Sequence, residues 1–292
     1  MHFVHISHSI SRLSLSIQVP PPSLSLPPAA AISIMQWPSI AVKSQLQSHA
    51  NCDVDPNLVP RHLAVTTDGN VRWARQRGII DSAGHEAGSR SLKELVGLCL
   101  EWRIPVLTVF AFSCDNWNRP RAEVDFLLSL FEGVLNAELQ YIEREGIRVS
   151  TIGDTVSLPN SLKQLVQRVE ETTKNNTNLH LVIALNYSGR RDILKACRAI
   201  SQKVKSGEIQ PEDINETTIE EHMENNFCQW QSPDLMIRTS GEQRLSNFML
   251  WQLAYTEFVF VPTLWPDFGE DEFLGALATF QRRKRRYGRR ID

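Results

Sequence analysis

From about residue 60 onward, short runs of β-branched and apolar residues alternate with longer stretches whose apolar positions recur every three or four residues. Short apolar runs bounded by turn residues predict strands, and a 3.6-residue apolar period predicts helices that pack on them. Strands are predicted at 62–67, 105–112, 147–152, 179–186, 235–239 and 257–261, and helices at 83–102, 121–144, 158–175, 190–205 and 219–226. This alternation predicts crossover units, hence a single α/β domain with one six-stranded, mainly parallel sheet flanked by helices. In the 121–144 segment, Val124, Leu127, Leu128, Leu130, Phe131, Val134, Leu135 and Leu139 share a broad apolar face. Such a face either packs as core against the sheet or lines a cavity for an apolar substrate, and both readings stay open.

In a parallel sheet the C-terminal ends of the strands reach one edge, where ligands of open α/β sheets bind. Polar clusters just after strands are therefore the places to look for chemistry. The first strand runs into Asp68-Gly69-Asn70-Val71-Arg72-Trp73. Gly69 lets backbone N–H groups approach an anion, a helix start adds positive potential, and Arg72 can grip phosphate oxygens in bidentate fashion. An adjacent carboxylate repels a diphosphate unless a cation sits between them. Magnesium suits that place, because it takes one or two protein carboxylates together with substrate phosphate oxygens. Taken alone, the same three residues make an ordinary turn.

The second strand leads into Ser113-Cys114-Asp115-Asn116-Trp117-Asn118-Arg119. Ser113 and Asn116 can bind or relay a proton, Arg119 can hold phosphate and Trp117 can supply an apolar wall. A capped loop around a buried tryptophan explains the same residues. The fifth strand leads into Arg238-Thr239-Ser240-Gly241-Glu242-Gln243-Arg244-Leu245-Ser246, a second glycine-containing loop between arginines, closed by a serine suited to capping. Two anion pockets at one sheet edge point to a bimolecular reaction between diphosphates, with the cation neutralising the one that leaves.

Composition narrows the class further. A chain of 292 residues with 42% hydrophobic content can bury the core of one large domain. The formal charge of −2 withholds the broad positive field that nucleic-acid binding requires, so no nucleic-acid partner is expected. Five cysteines, odd in number and widely spaced without C-x-x-C, predict neither a disulfide framework nor a zinc site and fit a reduced compartment. No apolar run approaches the roughly 20 residues that span a bilayer.

The first fifty residues are a different material: eleven serines, six prolines, Arg12 and Lys43 as the full cations, and no carboxylate before Asp53. Such a segment cannot bury enough apolar surface to fold alone. Serine-rich, acid-free N-termini have the composition of organellar transit peptides, and the scarcity of arginine favours a chloroplast destination. A plain disordered tail is the alternative, while Pro20, Pro21, Pro22, Pro27 and Pro28 oppose a secretory signal. Residues 1–57 are thus expected to be a disordered transit peptide and linker, and 58–292 the folded catalytic domain.

Together these segments resemble the cis-prenyltransferase family, the Z-isoprenyl or undecaprenyl diphosphate synthases. The likeness runs from about His62 to Gly288. It includes Asp68-Gly69-Asn70, Arg72-Trp73-Ala74, Gly84-His85 with Gly88, Phe112-Ser113, Asn116-Trp117 and Arg119-Pro120. It continues through Ile237-Arg238-Thr239, Gly241-Glu242, Arg244, Ser246-Asn247-Phe248 and Leu264-Trp265-Pro266-Asp267-Phe268. The resemblance implies a homodimer with a hydrophobic tunnel between sheet and helices. It also implies a reaction in which isopentenyl diphosphate displaces diphosphate from an allylic primer and loses a proton to give a cis double bond.

By the same resemblance, Asp68 holds Mg2+, Gly69, Asn70 and Arg72 cradle the allylic diphosphate, and Trp73 and His85 lie beside it. Ser113 and Asn116 match positions that orient isopentenyl diphosphate and assist proton removal, with Trp117 and Arg119 in the same substrate site. Arg238, Arg244 and Ser246 match phosphate-binding positions. Glu257 matches a carboxylate that assists the metal, and Arg286-Tyr287-Gly288 an R-x-G element that completes the neighbouring subunit's site. The basic tail also suits a peripheral membrane contact.

Three departures from the family pattern stand out. Asp81 occupies a position where many members carry an arginine for the allylic diphosphate, Val71 follows the D-G-N turn, and Thr66-Thr67 replaces an apolar pair. They imply altered substrate affinity rather than inactivity. Ala111, small at a tunnel-lining position, implies a medium-chain polyprenyl product, with a C10–C15 terpenoid precursor as the alternative. A non-catalytic partner subunit is opposed by Asp68, Arg238 and Arg244. A nucleotide-binding protein is opposed by the lack of G-x-x-x-x-G-K-[ST] and G-x-G-x-x-G.

Overall fold

The computed structural model describes residues 54–286, so the predicted leader lies almost wholly outside the described residues. Six strands form one sheet: β1 (His62–Thr66), β2 (Val106–Ser113), β3 (Ile147–Ile152), β4 (Leu179–Tyr187), β5 (Leu235–Arg238) and β6 (Glu257–Phe260). Their order is β3-β4-β2-β1-β5-β6, and every neighbouring pair is parallel. Each strand ends within one residue of its predicted bounds. The reason is visible in β1, where all five residues are buried because both faces of a central parallel strand are covered. Leu63 and Val65 enter the larger core on one face, and Ala64 enters a second core on the other, as the two-residue period requires.

Among the described residues seven helices join or follow the strands: α1 (Asn70–Gln76), α2 (Asp81–Glu101), α3 (Arg121–Arg144), α4 (Asn160–Thr173), α5 (Gly189–Ser206), α6 (Glu216–Glu220) and α7 (Glu270–Gln281). The predicted helices from 83 to 205 correspond to α2 through α5. The one predicted at 219–226 does not form as such. Asn215 caps an earlier, one-turn helix by accepting the Thr218 N–H at 3.1 Å. Beyond it, the Asn225 and Asn226 amides donate to the Gln231 and Glu221 carbonyls at 2.7 and 2.6 Å, which competes with helix continuation. Helix α7, with Phe273, Ala276 and Leu277 buried, has no counterpart among the predicted helices.

The folded domain also begins earlier than residue 58. Val54 is buried in the larger core. The Asp55 N–H donates to Gln281 Oε1 at 2.9 Å, and Gln281 Nε2 donates to the Asp55 carbonyl at 2.8 Å. These contacts fasten the start of the domain to the end of α7.

The apolar face of α3 packs as core along one part and lines a cavity along another. Val124, Leu128 and Leu135 are buried, while Leu127, Leu130, Phe131 and Val134 line an apolar cavity between α2, α3 and the sheet. Among the described residues no helix is long and apolar enough to cross a membrane, and Cys99, Cys114, Cys197 and Cys228 are unpaired.

Candidate active site

Because β1 and β5 are paired in register through Thr66 and Arg238, the residues that follow them emerge side by side. Asp68 Oδ2 accepts a hydrogen bond from Arg238 Nη2 at 3.1 Å, and Oδ1 accepts one from Arg72 Nη2 at 3.2 Å. Its backbone is fixed as well. The Asp68 N–H donates to Thr239 Oγ1 at 2.9 Å, and that hydroxyl lies 2.8 Å from the Asp68 carbonyl.

The arginines extend this contact into a network. Arg238, only 3% exposed, donates from Nη1 to Ser246 Oγ at 2.8 Å and to the Arg244 carbonyl. Arg72 reaches Ser240 Oγ at 2.7 Å and the Glu242 carboxylate at 3.2 Å, and Arg244 pairs with the same carboxylate. Ser240 (φ 72°) and Gly241 (φ 74°) turn the loop back through left-handed conformations. Three guanidinium groups thus share two carboxylates, leaving positive charge over an open polar cleft of about 780 Å³. Ser113, Asn116, Arg119 and Arg190 line the same cleft.

Helix α1 starts from Gly69, whose φ of 109° belongs to the left-handed region and whose absent side chain makes room for Leu264. Behind it, α2 presses close because its facing positions are glycines. A Cβ on Gly84 would lie 2.1 Å from the Asn70 carbonyl oxygen, and one on Gly88 would lie 2.2 Å from Asn70 Oδ1. Trp265 closes the packing by donating from Nε1 to the Gly88 carbonyl at 2.8 Å. Asn70 and His85 are thereby set at the cleft floor, and neither Asn70 Oδ1 nor His85 Nε2 has a hydrogen-bond partner. Burial, then the nearby Arg119 charge, push the His85 imidazolium below its usual range, so the ring is neutral around pH 7.

Ser113 and Asn116 reach the cleft while also holding a 3-10 turn at Cys114–Asn118. The Ser113 N–H donates to Asn116 Oδ1 at 2.9 Å, and Ser113 Oγ accepts the Asp115 N–H at 3.0 Å. Arg119 pairs with Glu123 at 3.0 Å at the cleft rim.

Four expected site residues stand apart. Trp117 lines neither cavity: its Nε1 donates to Asn186 Oδ1 at 2.9 Å, and its ring packs edge-on against Phe112. It is a partly buried tryptophan packed against the larger core. Trp73 also lines neither cavity, since its Nε1 is bound to Asp267 at 2.6 Å and Arg77 stacks over its ring. Glu257 starts β6, paired with Leu235 and through it with Leu63, at the N-terminal edge of the sheet. From Leu63 to Asp68 a strand advances about 16 Å, so Glu257 cannot share a metal ion with Asp68 of its own chain. Arg286 follows Arg285, which pairs with Asp234 at that same far edge, and Gly288 lies outside the described residues.

Asp81 does not line the cleft either. It pairs with Arg75 through two bonds of 3.1 and 2.8 Å, and that guanidinium holds its carboxyl below the usual range. Conversely, Thr239, Ser240, Glu242 and Arg190 belong to the site although their side chains carry no assigned role in the sequence reading. Arg190 could have been found from topology: it opens α5 directly after β4, at the edge that also carries Asp68.

The polar cleft continues into the apolar cavity. Thr67, Asn70, His85, Ala111 and Leu127 line both, and beyond them a space of about 150 Å³ runs between α2, α3 and the sheet toward Ile142 and Ile147. A parallel α/β sheet with an arginine-carboxylate cleft opening into an apolar channel defines a protein for amphiphiles that carry an anionic head and a hydrocarbon tail. Residues 66–288 match the family model described as putative undecaprenyl diphosphate synthase. The chain belongs to this family, the cis-prenyltransferases, and is a prenyl-transferring enzyme.

It is similar to dehydrodolichyl diphosphate synthase 2 of Arabidopsis thaliana, with 54% identity over 82% of this chain and 77% of that one. Cis-prenyltransferase 4, chloroplastic, of Solanum lycopersicum is 55% identical over 80% of this chain and 75% of its own. Among solved structures, lavandulyl diphosphate synthase from Lavandula x intermedia, in complex with dimethylallyl diphosphate, superposes with a TM-score of 0.77. That alignment has 40% identity and covers 80% of this chain and 99% of the lavender protein.

Proposed function

We propose that this enzyme condenses isopentenyl diphosphate with an allylic diphosphate in the cleft at Asp68 and stores the growing medium-length chain in the apolar cavity. The observation that carries this reading is the continuity of the two spaces through Thr67, Asn70, His85, Ala111 and Leu127. A head group bound by the arginines at the cleft has the apolar channel within reach of its tail. Each five-carbon unit buried there is worth roughly 4 kcal/mol at ~0.8 kcal/mol per carbon.

Within the cleft, Arg72, Arg238 and Arg244 exchange their carboxylate partners for phosphate oxygens and stabilise the charge of the departing diphosphate. Neutral His85 and the amide of Asn70 supply uncharged hydrogen-bonding groups to the same ligand. Asp68 suits magnesium: one fixed carboxylate is what such an ion takes from the protein when phosphates and water complete its shell. Such an ion, when bound, offsets the charge that the leaving diphosphate develops.

The far-edge positions of Glu257 and Arg286 favour a homodimer, because neither serves the cleft of its own chain. Exposed Tyr255 precedes that edge strand and exposed Phe260 ends it. The composition of the leader, with chloroplastic relatives, favours a plastid location. A C10–C15 product is the competing reading, favoured by the small volume of the apolar cavity, about 150 Å³.

Labelled isopentenyl diphosphate, magnesium and separate dimethylallyl, geranyl, farnesyl and geranylgeranyl primers, followed by product chromatography, test the reaction and its product length together. No elongation of any primer would reject the enzyme as a homomeric synthase. Full activity in Asp68→Ala would reject the metal assignment. Uniform cytosolic fluorescence of a reporter fused to residues 1–60 would reject the plastid leader.

A further inference from the structure

Beyond Thr67, Asn70, His85 and Ser89 toward its mouth, the apolar cavity carries one pair of charged side chains in its wall. Lys93 on α2 and Glu138 on α3 form an ion pair, and both side chains line the cavity otherwise made by Leu92, Val96, Leu135 and their neighbours. The Glu138 side chain is 6% exposed and that of Lys93 is 20% exposed. Helical rise places the pair on the order of 12–16 Å from the shared mouth, counted from His85 along α2 or from Leu127 along α3. Ile142, a turn further along α3, shows that the cavity continues past it.

A buried ion pair is poor value as a stabilising device, since well-packed apolar residues in its place are often neutral or better. Two charges facing a space meant for hydrocarbon therefore ask for another explanation. We propose that the Lys93–Glu138 pair sets the length of the stored chain by making the cavity wall polar at that depth. This rests on the reading of the cavity as the chain-storage site. A chain end that passes the pair strips its remaining water and returns no hydrogen bond, so the gain from burying further methylenes is cancelled there. Elongation then ends because the next unit adds no net binding.

Two experiments test this on the full chain. In the first, the double variant Lys93→Leu with Glu138→Leu is compared with wild type for product length by chromatography and for thermal midpoint. The product distribution is expected to lengthen by at least one isoprene unit, with the KM for a short primer within about twofold. An unchanged distribution in an active, folded variant overturns the proposal. In the second, wild-type affinity is measured for unreactive linear alkyl diphosphates of increasing length. Affinity should rise about fourfold per added methylene and then level off at the length that reaches the pair. A rise that continues steadily to longer chains overturns it even if the double variant fails to fold. Wild type that elongates no primer would instead indict the functional reading itself, and this control separates the two failures.

Discussion

His62 shows how far a single side chain can bind stability to pH. It is fully buried in β1, with Nε2 2.7 Å from Thr108 Oγ1, and burial lowers its pKa from 6.5 to about 4. A histidine whose folded pKa lies below its unfolded value binds fewer protons when folded. Its contribution is complete above about pH 6.5 and is lost as pH falls toward 4, at 1.36 kcal/mol per unit, or roughly 3 kcal/mol in all. His180, lowered to about 4 mainly by burial, acts in the same window. The thermal midpoint should therefore fall between pH 7 and pH 4.5, and His62→Gln should make that fall shallower; an identical slope in calorimetry would contradict it. Asp81 gives a second prediction. Its pair with Arg75 is exposed and worth little. Asp81→Arg should leave the thermal midpoint nearly unchanged and lower the KM for the allylic primer several-fold, because it frees Arg75 and adds a cation near the cleft.

At the scale of elements, the contact between α1 and α2 positions the site. Gly84 and Gly88 permit an approach that any side chain would prevent, and Asn70 is held between them and the cleft. Gly88→Ala should push Asn70 aside and raise the KM for the allylic primer about tenfold, with a thermal midpoint lower by a few degrees. Steady-state kinetics with the primer varied would show it. Most of this architecture was legible beforehand, since strand bounds follow from apolar runs and the clefts of parallel sheets follow from strand ends. The failures have physical causes. The 219–226 pattern looked helical because periodicity ignores what Asn225 and Asn226 do with their amides. Trp117 was open between an apolar wall and a buried tryptophan in a capped loop, and only in three dimensions does its indole N–H find Asn186, as that of Trp73 finds Asp267. Glu257 begins the strand expected at 257–261, and because a strand carries its two ends to opposite edges of the sheet, its distance from Asp68 follows from the topology.

For the whole molecule, the ends of the folded chain meet. Val54 enters the core and Asp55 is clasped by Gln281, so the domain is closed by its first and last described segments. A chain beginning at Val54 should melt several degrees above one beginning at Leu58, which loses the buried valine and both hydrogen bonds. Scanning calorimetry of the two would check it, and equal midpoints would place the true boundary at 58.

The chain of Arg238, Asp68, Arg72, Glu242 and Arg244 has a bearing on how the ligand is taken up. These arginines do not wait bare for an anion, since carboxylates of the same chain stand in for it as built-in counterions. Binding is thus a swap of partners within a prearranged lattice of charge rather than the capture of an anion by unscreened cations. Fewer ions from solution are displaced than there are arginines in contact, and affinity should respond to added salt more gently than the count of charged groups would lead one to expect.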